Sequence, residues 1–329
     1  MPYLNTDIPE LKGFDTGTCL SNLELLEIRR DRVSESMLAI LSELCDAILQ
    51  DAEGDPDTVD SILLSLQGSP DDDEERPLLP HVATVNRQWL TLMSVHAGLY
   101  ARLFLYAMME ARMPTPAEGK TAPSSTPAMT RGRIAYMPAA FADKAYLRLS
   151  ALVDSPRATA TASFVDACEE VRSGLCEYCI LPLENSHSGR LAAFTRLILR
   201  YDLQAVAVCD LENGTAEGQV TRFALLRAAR EGQFPLPLRL PPVGEPLYLE
   251  LIHNGAPTEL TSLLAAAEFC GVRLCRVDTL PRFEEFDGEA GEVSFACVFD
   301  VSGGHLPVLR RYLALEASDD TLIGVYGSI

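Results

Sequence analysis

Residues 181–189 read Leu-Pro-Leu-Glu-Asn-Ser-His-Ser-Gly, and this stretch decides the fold class because an apolar strand pattern turns polar within it. Ahead of it, residues 163–171 have the apolar spacing of a helix, Gly174 follows as a stop signal, and residues 178–181 form an apolar strand pattern. A helix, a glycine turn and a buried strand predict one α/β unit. Ligands of open α/β sheets lie beyond the carboxyl ends of the strands. The polar run that begins at Glu184 is therefore a candidate site.

The bulk composition limits the function classes. The chain has 329 residues, which is more than one hydrophobic core usually serves, so two or three domains are expected. Its formal charge of -20 argues against nucleic-acid or anionic-membrane binding as a main role, because both need clusters of Lys and Arg. The negative net charge does not exclude a small anionic substrate, because the binding of such a substrate depends on arginines close to the site. Four of them fall near the candidate site in sequence: Arg190, Arg196, Arg200 and Arg222.

Cysteine usage and hydropathy predict a cytoplasmic protein. The nine cysteines have no framework spacing, residues 1–11 lack the apolar segment of a signal peptide, and no apolar run approaches the length of a membrane helix. Cys176 and Cys179 spell Cys-x-x-Cys, but no second pair has metal-site spacing. Structural cysteines are favoured over a metal or redox site, and neither a metal nor a cofactor is expected.

The N-terminal part of the chain predicts an all-α domain. Apolar residues recur at helical spacing over 20–49 and again over 85–112. Helices of this length would leave too much apolar face for a monomeric hairpin, so a bundle is expected, as part of a homodimer or tetramer. The predicted organisation is a helical domain over 1–113, a linker over 114–131, an α/β lobe over 132–230, a proline-rich linker over 231–246 and an α+β domain over 247–329.

The polar stretch and a later strand resemble one enzyme family. Residues 182–186, with Gly189 after them, and the run Thr221-Arg222-Phe223 are similar to two signatures of prephenate dehydratases. The resemblance implies half of a type II periplasmic-binding-like fold and the conversion of prephenate to phenylpyruvate, carbon dioxide and water. It assigns the contact at the departing hydroxyl to Thr221.

The same resemblance implies a substrate pocket in which Asn185, Ser186 and Glu184 bind substrate, while Arg222 and Phe223 shape the walls. Judged from the residues alone, Thr221 is an ordinary β-branched strand residue and Phe223 a core residue, and that alternative stays open. His187 is either a proton donor or anion contact, or a plain turn residue.

Two departures from the family pattern bear on catalysis. Residues 137–142 read Met-Pro-Ala-Ala-Phe-Ala where the family has a loop of glycines, hydroxyls and a glutamate, and alanine cannot hydrogen-bond a substrate. Only nine residues separate Cys209 from Gln219, so the second lobe of the family is missing. Any catalysis is expected to be weak or to need a second chain that closes the site.

The flanking domains resemble the other parts of bifunctional P-proteins. The helices look like a chorismate mutase portion, but no lysine occurs before Lys120, so that activity is expected to be lost. A dimerising bundle whose arginines are surface charges is the alternative. Residues 247–329 follow the order βαββαβ of the ferredoxin-like arrangement and look like an ACT regulatory domain. The resemblance implies a phenylalanine site formed by Gly255, Ala256, Asp278 and Thr279, altered because leucine stands at 280 where the family has arginine.

Two functions follow from these patterns. One is a prephenate-dehydratase-like enzyme of phenylalanine biosynthesis. The other is a non-catalytic sensor of an aromatic metabolite, or a regulatory partner, built on the same scaffold. Prephenate and phenylalanine are the expected small-molecule partners of either.

Overall fold

The computed structural model describes residues 38–67, 98–113, 131–212, 219–229, 234–242, 244–255, 257–281, 293–317 and 320–329. The chain divides into two compact units, 1–113 and 114–329. Within the described ranges, no helix combines the length and the apolar character needed to cross a membrane.

The described residues of the first unit form three helices: α1 over 38–51, α2 over Pro56–Gln67 and α3 over Gly98–Arg112. Asp55 precedes α2 and its carboxylate accepts the backbone N–H of Thr58 at 3.0 Å, which satisfies a donor of the first turn. Leu41, Leu44 and Ile48 repeat on the buried side of α1. The predicted helical stretches 20–37 and 85–97 lie outside the described residues.

The second unit holds ten strands and five helices in its described part. The strands are β1 Arg133–Tyr136, β2 Arg157–Ala160, β3 Tyr178–Asn185, β4 Gly189–Arg190, β5 Leu203–Glu212, β6 Val220–Ala228, β7 Leu247–His253, β8 Arg273–Pro281, β9 Val293–Asp300 and β10 Thr321–Gly327. The helices are α4 Ala140–Ser150, α5 Phe164–Arg172, α6 Ala192–Arg200, α7 Pro257–Phe269 and α8 Leu306–Glu316.

All ten strands belong to one mixed sheet in the order β2-β1-β3-β6-β5-β10-β7-β9-β8, with β4 paired to β3. Strands β1, β2 and β3 run parallel, and β6 runs antiparallel between β3 and β5. The prediction of a mixed α/β architecture is therefore confirmed. Strands β5 and β6 are direct neighbours joined by residues 213–219, a connection too short to contain a further lobe.

Strands β7 to β10 and their two helices follow the order βαββαβ, and all three pairings among these strands are antiparallel. We call residues 247–329 the ferredoxin-like module. Its strand β10 also pairs in parallel with β5, at Gly324 and Ala205, so the module continues the sheet of the preceding lobe. A side chain at Gly324 would overlap the Ala205 backbone, which makes glycine the residue that permits this junction.

The sheet curls strongly between its ends. Five strands separate β3 from β8 in the sheet order, yet the Arg276 side chain on β8 reaches Glu184 at the end of β3. Leu280 of β8 and Leu181 of β3 belong to the same buried apolar cluster, which α5 and α6 also enter. The curl therefore brings the far edge of the ferredoxin-like module back to the candidate site.

Two local patterns give predictions that the structure corrects. The apolar spacing over 188–201 predicts a helix from Ser188 onward, but residues 189–190 pair with β3 as β4, and α6 begins only at Ala192. The adjacent arginines at 310 and 311 predict a solvated helix face, which is wrong for Arg311 because it is buried. Arg310 is exposed and its guanidinium lies 5.7 Å from the ring centre of Phe234.

Candidate functional site

The polar stretch forms a tight hairpin at the carboxyl end of β3. Glu184 pairs with Arg190 and Asn185 pairs with Gly189, so residues 186–188 form the turn. Gly189 has φ +70°, a left-handed conformation that closes such three-residue turns and that other residues adopt at a cost. The backbone N–H of Leu191 donates to the Leu183 carbonyl at 2.9 Å and completes the hairpin.

Asn185 and Thr221 meet across β3 and β6. The Asn185 Nδ2 group donates to Thr221 Oγ1 at 2.9 Å, while Asn185 Oδ1 accepts the backbone N–H of His187 at 2.9 Å and the side-chain amide of Gln219 at 3.2 Å. Ser186 joins the same edge, because its Oγ accepts the Val220 N–H at 2.9 Å. The structure therefore brings Asn185, Ser186 and Thr221 together at a partly exposed strand end.

Glu184 and Arg222 lie on the opposite face of the same strand pair. Adjacent residues of a strand point to opposite faces, and the register places Glu184 opposite Arg222 but Asn185 opposite Thr221. Arg222 donates through Nε and Nη2 to the two carboxylate oxygens of Asp210 at 2.8 and 2.9 Å, and its Nη1 lies 2.9 Å from Glu184 Oε1. The hydrogen bonds that Arg222 donates to Asp210, together with the charge of Glu184, raise the pKa of Arg222 despite its partial burial.

Phe223 does not line an open pocket. Its side chain is 5% exposed and packs with Ile134, Val206 and Leu225 under helix α4. The six residues grouped by sequence therefore divide into three environments: a neutral polar edge, an ion-paired opposite face and a core position.

Helix α4 lies on the Thr221 and Phe223 side of the sheet. Its Ala145 and Leu149 belong to the same apolar cluster as Phe223, and it begins just beyond the carboxyl end of β1. Ala139 stands at its N-cap in an extended conformation and makes no side-chain capping bond. The first N–H groups of an uncapped helix favour anions. The alanines at 139 and 140 thus offer no side-chain donors beyond the carboxyl end of β1, where the backbone N–H groups of the first helical turn remain.

A charged cluster joins the ion-paired face to the ferredoxin-like module. The Arg276 Nη2 atom lies 2.5 Å from Glu184 Oε2, and its Nε lies 2.8 Å from Asp278. Burial lowers the pKa of Arg276, but its hydrogen bond with Glu184 and the charges of Glu184 and Asp278 outweigh burial and raise it overall. Deeper inside, Arg190 pairs with Glu250, and their side chains are only 3% and 1% exposed.

Tyr326 completes this cluster, because its hydroxyl donates to Glu250. Burial first, and then the Glu250 charge and hydrogen bond, raise the pKa of Tyr326 well above its usual range, while Arg190 and Arg222 oppose that rise. The phenol of Tyr326 is therefore near both arginines. Three guanidinium groups here face four carboxylates, those of Glu184, Asp210, Glu250 and Asp278.

The residues predicted to bind a regulatory ligand lie at one edge of the module. Strands β7 and β8 both pair antiparallel with β9, so they run parallel to each other. Gly255 follows the carboxyl end of β7, and Thr279 lies near the carboxyl end of β8, so both residues are at the same edge. Thr279 is exposed, whereas Asp278 points the other way and pairs with Arg276. Leu280 is buried in the core that the module shares with the lobe. Ala256 lies outside the described residues.

Sequence reasoning missed Arg190 as a buried residue, and it missed Glu250, Arg276 and Tyr326 altogether. One signal was present: Glu250 is the single acidic residue in the apolar strand 247–253, and a buried carboxylate requires a cationic partner. Its partner could not be read from the chain, because Arg190 lies 60 residues earlier.

The cysteines at the start of β3 are buried. Cys168, Cys176 and Cys179 lie within one apolar cluster. Burial raises the pKa of Cys176, and a hydrogen bond with Cys168 together with burial raises that of Cys179. Raised thiol pKa values disfavour the reactive thiolate. Within the described ranges, no three metal-ligating side chains form a group that could hold a metal ion.

No protein-family model matches this chain, and none of the curated proteins matches it. Among solved structures, it is similar over 60% of its length to a prephenate dehydratase from Streptococcus mutans, 98% of which is covered, at 17% identity and a TM-score of 0.45. GqqA, described as a novel type of quorum quenching acylase, matches 60% of this chain and 95% of its own at 22% identity and a TM-score of 0.44. A prephenate dehydratase from Arthrobacter aurescens in complex with L-Phe matches 59% and 89% at 14% identity and a TM-score of 0.41.

Proposed function

We propose that this protein is a prephenate-dehydratase-like binding protein that senses a small carboxylate of aromatic metabolism, with its dehydratase activity weak or lost. The ligand site is the edge formed by Asn185, Ser186 and Thr221. The strand arrangement β2-β1-β3-β6-β5 supports the half of a type II periplasmic-binding-like fold in this proposal. The ferredoxin-like module takes the place of an ACT domain.

One observation carries the proposal. The guanidinium of Arg222 donates two hydrogen bonds to Asp210 and forms an ion pair with Glu184. These contacts lie on the face of the sheet opposite Thr221. Prephenate carries two carboxylates, and enzymes that stabilise such charge use cationic groups aimed at it. A guanidinium already neutralised by two carboxylates does not meet that requirement.

The neutral edge can still hold one carboxylate. The contacts of the described residues use the oxygens of Thr221 and Ser186 as acceptors of N–H groups, so their O–H groups are donors for a ligand. The uncapped N-terminus of α4 follows β1, two strands from β6 on the Thr221 side of the sheet, and offers further backbone N–H groups there. Neutral donors of this kind suit a single carboxylate better than a dianion.

A thermal-shift titration with L-phenylalanine, phenylpyruvate and prephenate tests the binding site. We expect at least one of these compounds to raise the unfolding temperature of the wild type and of Thr221→Ser, which keeps the hydroxyl. Thr221→Val keeps the shape but removes the donor, and it should lose most of the shift. Equal shifts in all three proteins would show that the ligand binds elsewhere.

A second candidate, the dehydratase itself, is favoured by the Asn185 to Thr221 hydrogen bond. Since Thr221 Oγ1 accepts from Asn185, its own O–H group is left to be donated to a departing hydroxyl. The assay is phenylpyruvate formation from prephenate. Turnover that Thr221→Val abolishes and Thr221→Ser retains would establish the enzyme in place of the sensor.

For the helical unit, we propose a scaffold without chorismate mutase activity. Arg112 of α3 donates to Asp46 at 2.6 Å and to Ser42 Oγ at 2.8 Å. Both lie in the stretch 42–46 of α1, where the resemblance to chorismate mutases would place basic residues. An arginine held by these groups is directed at α1 instead of a substrate. This protein should therefore form no prephenate from chorismate. We propose instead that these helices assemble the chain into a homodimer or tetramer, and light scattering measures the molar mass of that assembly.

A further inference from the structure

Two N–H donors fix the orientation of the Asn185 side-chain amide. The backbone N–H of His187 points at one terminal atom of this amide at 2.9 Å, and the side-chain nitrogen of Gln219 lies 3.2 Å from the same atom. A backbone N–H can only donate, so the atom that faces it must be the oxygen Oδ1. The nitrogen Nδ2 is then on the other side of the amide, where it faces Thr221 Oγ1 at 2.9 Å.

The orientation of this amide decides the polarity of the Thr221 hydroxyl. An amide nitrogen offers only N–H groups, so Thr221 Oγ1 accepts that hydrogen bond and its own hydrogen is left for another partner. With the amide turned over, Oδ1 would face the hydroxyl and Thr221 would donate to it. A ligand would then meet only the lone pairs of Oγ1. One amide therefore determines whether Thr221 donates to a ligand or accepts from it.

Ser186 has the same polarity for an independent reason. Its Oγ accepts the backbone N–H of Val220 at 2.9 Å, and its own backbone N–H donates to the Val220 carbonyl at 2.8 Å. The hydroxyl hydrogen of Ser186 is thus also left to be donated. Two hydroxyl donors suit a carboxylate or another oxyanion. An ammonium group only donates, so it would leave these hydroxyl hydrogens without an acceptor.

The two donors that hold Asn185 differ in their dependence on sequence. The His187 donor belongs to the backbone of the turn, and any residue except proline supplies it. The Gln219 donor belongs to a side chain, so the residue at this position matters. Gln219 immediately precedes β6 and shares a face with Thr221, because alternate residues of a strand point to the same side. An acceptor at position 219 would oppose Oδ1 and favour the turned amide.

We propose that Gln219 is a positioning residue that acts through Asn185, keeps Thr221 a donor and makes this edge selective for ligands that accept hydrogen bonds. The selectivity rests on the proposed function of the edge. The orientation of the amide does not, because the hydrogen bonds that set it are made within the protein.

Side-chain NMR of the full-length, ligand-free protein tests the orientation. In the wild type, a nuclear Overhauser effect should join a side-chain N–H of Asn185 to the side-chain protons of Thr221, and Asn185→Asp assigns the signal by removing it. Gln219→Glu places a carboxylate against Oδ1 and should abolish this effect, because the turned amide donates to the new charge instead.

Gln219→Lys keeps a donor at the same position and should retain the nuclear Overhauser effect. It also gives a second reading if Gln219→Glu does not fold. A signal that persists unchanged in Gln219→Glu would overturn the proposal. Loss of the signal in both variants would overturn it as well, since position 219 would then act through packing and not through its donor.

Calorimetric titration with two probes measures the selectivity. Phenylpyruvate presents a carboxylate that accepts, whereas phenethylamine presents an ammonium that only donates, and the wild type should prefer the first. Gln219→Glu should weaken phenylpyruvate binding roughly 10- to 100-fold, the range expected for one hydrogen bond to a charged group. Ser188→Glu adds the same charge at an exposed position of the same turn and should weaken it less than about 5-fold. Equal weakening by both variants would show that charge alone acts.

The two experiments separate the positioning role from the proposed function. If neither probe binds the wild type while the amide signal depends on residue 219 as expected, the proposed function fails and the positioning role stands. If phenylpyruvate binds and Thr221→Val abolishes that binding, but the amide signal does not depend on residue 219, the site stands and the role of Gln219 is wrong.

Discussion

On one face of the β3 and β6 strands, Asn185 and Thr221 meet through a neutral hydrogen bond of 2.9 Å. On the other face, one residue earlier along β3, Glu184 and Arg222 meet through an ion pair of the same length. The neutral pair lies at a partly exposed strand end, whereas the ionic pair continues into a charged network with the module. Two adjacent residues thus lie in different environments: Asn185 belongs to the neutral edge proposed to bind a ligand, and Glu184 belongs to the ion-paired junction.

The ion pairs account for the position of the arginines, whose positive charge a dianionic substrate would need at the Thr221 edge. A guanidinium inside a folded chain requires carboxylates. Arg222 finds them on its neighbouring strands β3 and β5, whereas the curl of the sheet brings Glu184 to Arg276 and Glu250 to Arg190. Once these pairs form, the arginines stabilise the junction and do not face the Thr221 edge. Arg190, Arg222 and Arg276 therefore form ion pairs at the junction between the lobe and the module.

The largest effect is expected from removing the buried carboxylate of this junction. Glu250→Ala leaves Arg190 buried without its partner, and such a loss costs about 3 to 5 kcal/mol. Urea unfolding measures the change in the free energy of unfolding. Glu245→Ala, at an exposed position just before β7, is the control and should change it little. A loss below about 1 kcal/mol for Glu250→Ala would mean that the network does not stabilise the junction.

A steric change at the same junction should have the next largest effect. Gly324→Ala places a methyl group against the Ala205 backbone, where β10 pairs with β5, and neither strand can move without breaking the sheet. We expect a loss of about 3 kcal/mol in the free energy of unfolding, at the upper end for overpacking. Gly303→Ala is the control, because a side chain there meets open space. Equal stability of the two variants would show that β10 does not need this close approach.

The charged face should also respond to alkaline pH. The folded-state pKa of Tyr326 is raised above its unfolded value, so its contribution to stability is complete below about pH 10 and is lost as pH rises toward the folded pKa. Tyr326→Phe removes the hydrogen bond to Glu250 and should cost about 2 kcal/mol at pH 8.

The difference between wild type and Tyr326→Phe isolates this residue from the other tyrosines. We expect the difference in unfolding free energy to shrink between pH 10 and pH 11, measured by urea titration at each pH. Guanidinium groups stay charged over that range, so the ion pairs do not obscure the result. A difference that stays constant with pH would show that Tyr326 ionises normally and that its surroundings are not as buried as described.

Some secondary-structure elements of the second unit could be predicted from the sequence, and others could not. The βαββαβ order over 247–329 follows from local periodicity, and the structure shows that order. The hairpin at 185–190 was not predicted, because a helical pattern from Ser188 competes with a turn that depends on Gly189 adopting φ +70°. The continuation of one sheet through β5 and β10 depends on a pairing between residues far apart in sequence, which no local pattern encodes.

The candidate site shows the same limit. Asn185, Ser186 and Thr221 were identified and lie together, because they stand at the ends of neighbouring strands. Arg222 was placed in the same pocket although alternation along β6 puts it on the other face, and strand parity alone could have separated the two. The carboxylate partners of Arg222 are its direct cross-strand neighbours on β3 and β5. Arg276 reaches Glu184 only because the sheet curls, and no local sequence pattern encodes that tertiary property.

The smallest effect is expected on the neutral face, from Gly189→Ala at the end of the hairpin turn. A methyl group there meets open space, so the cost is the left-handed backbone alone, about 1 kcal/mol in the free energy of unfolding. Gly174→Ala is a matched control, since Gly174 has φ +74° and is equally open but lies before β3, away from the ligand edge. Both variants should lose similar stability by urea unfolding, because the strain is the same.

Ligand binding should separate these two variants. Strain at Gly189 tilts the turn that positions Asn185 and Ser186, so Gly189→Ala should weaken the thermal shift given by a bound carboxylate, and Gly189→Asn should largely restore it because asparagine tolerates φ > 0. Gly174→Ala should bind as the wild type does. If both alanine variants weakened binding equally, the effect would follow from lower global stability. The result would then give no support to a ligand site at Asn185 and Ser186.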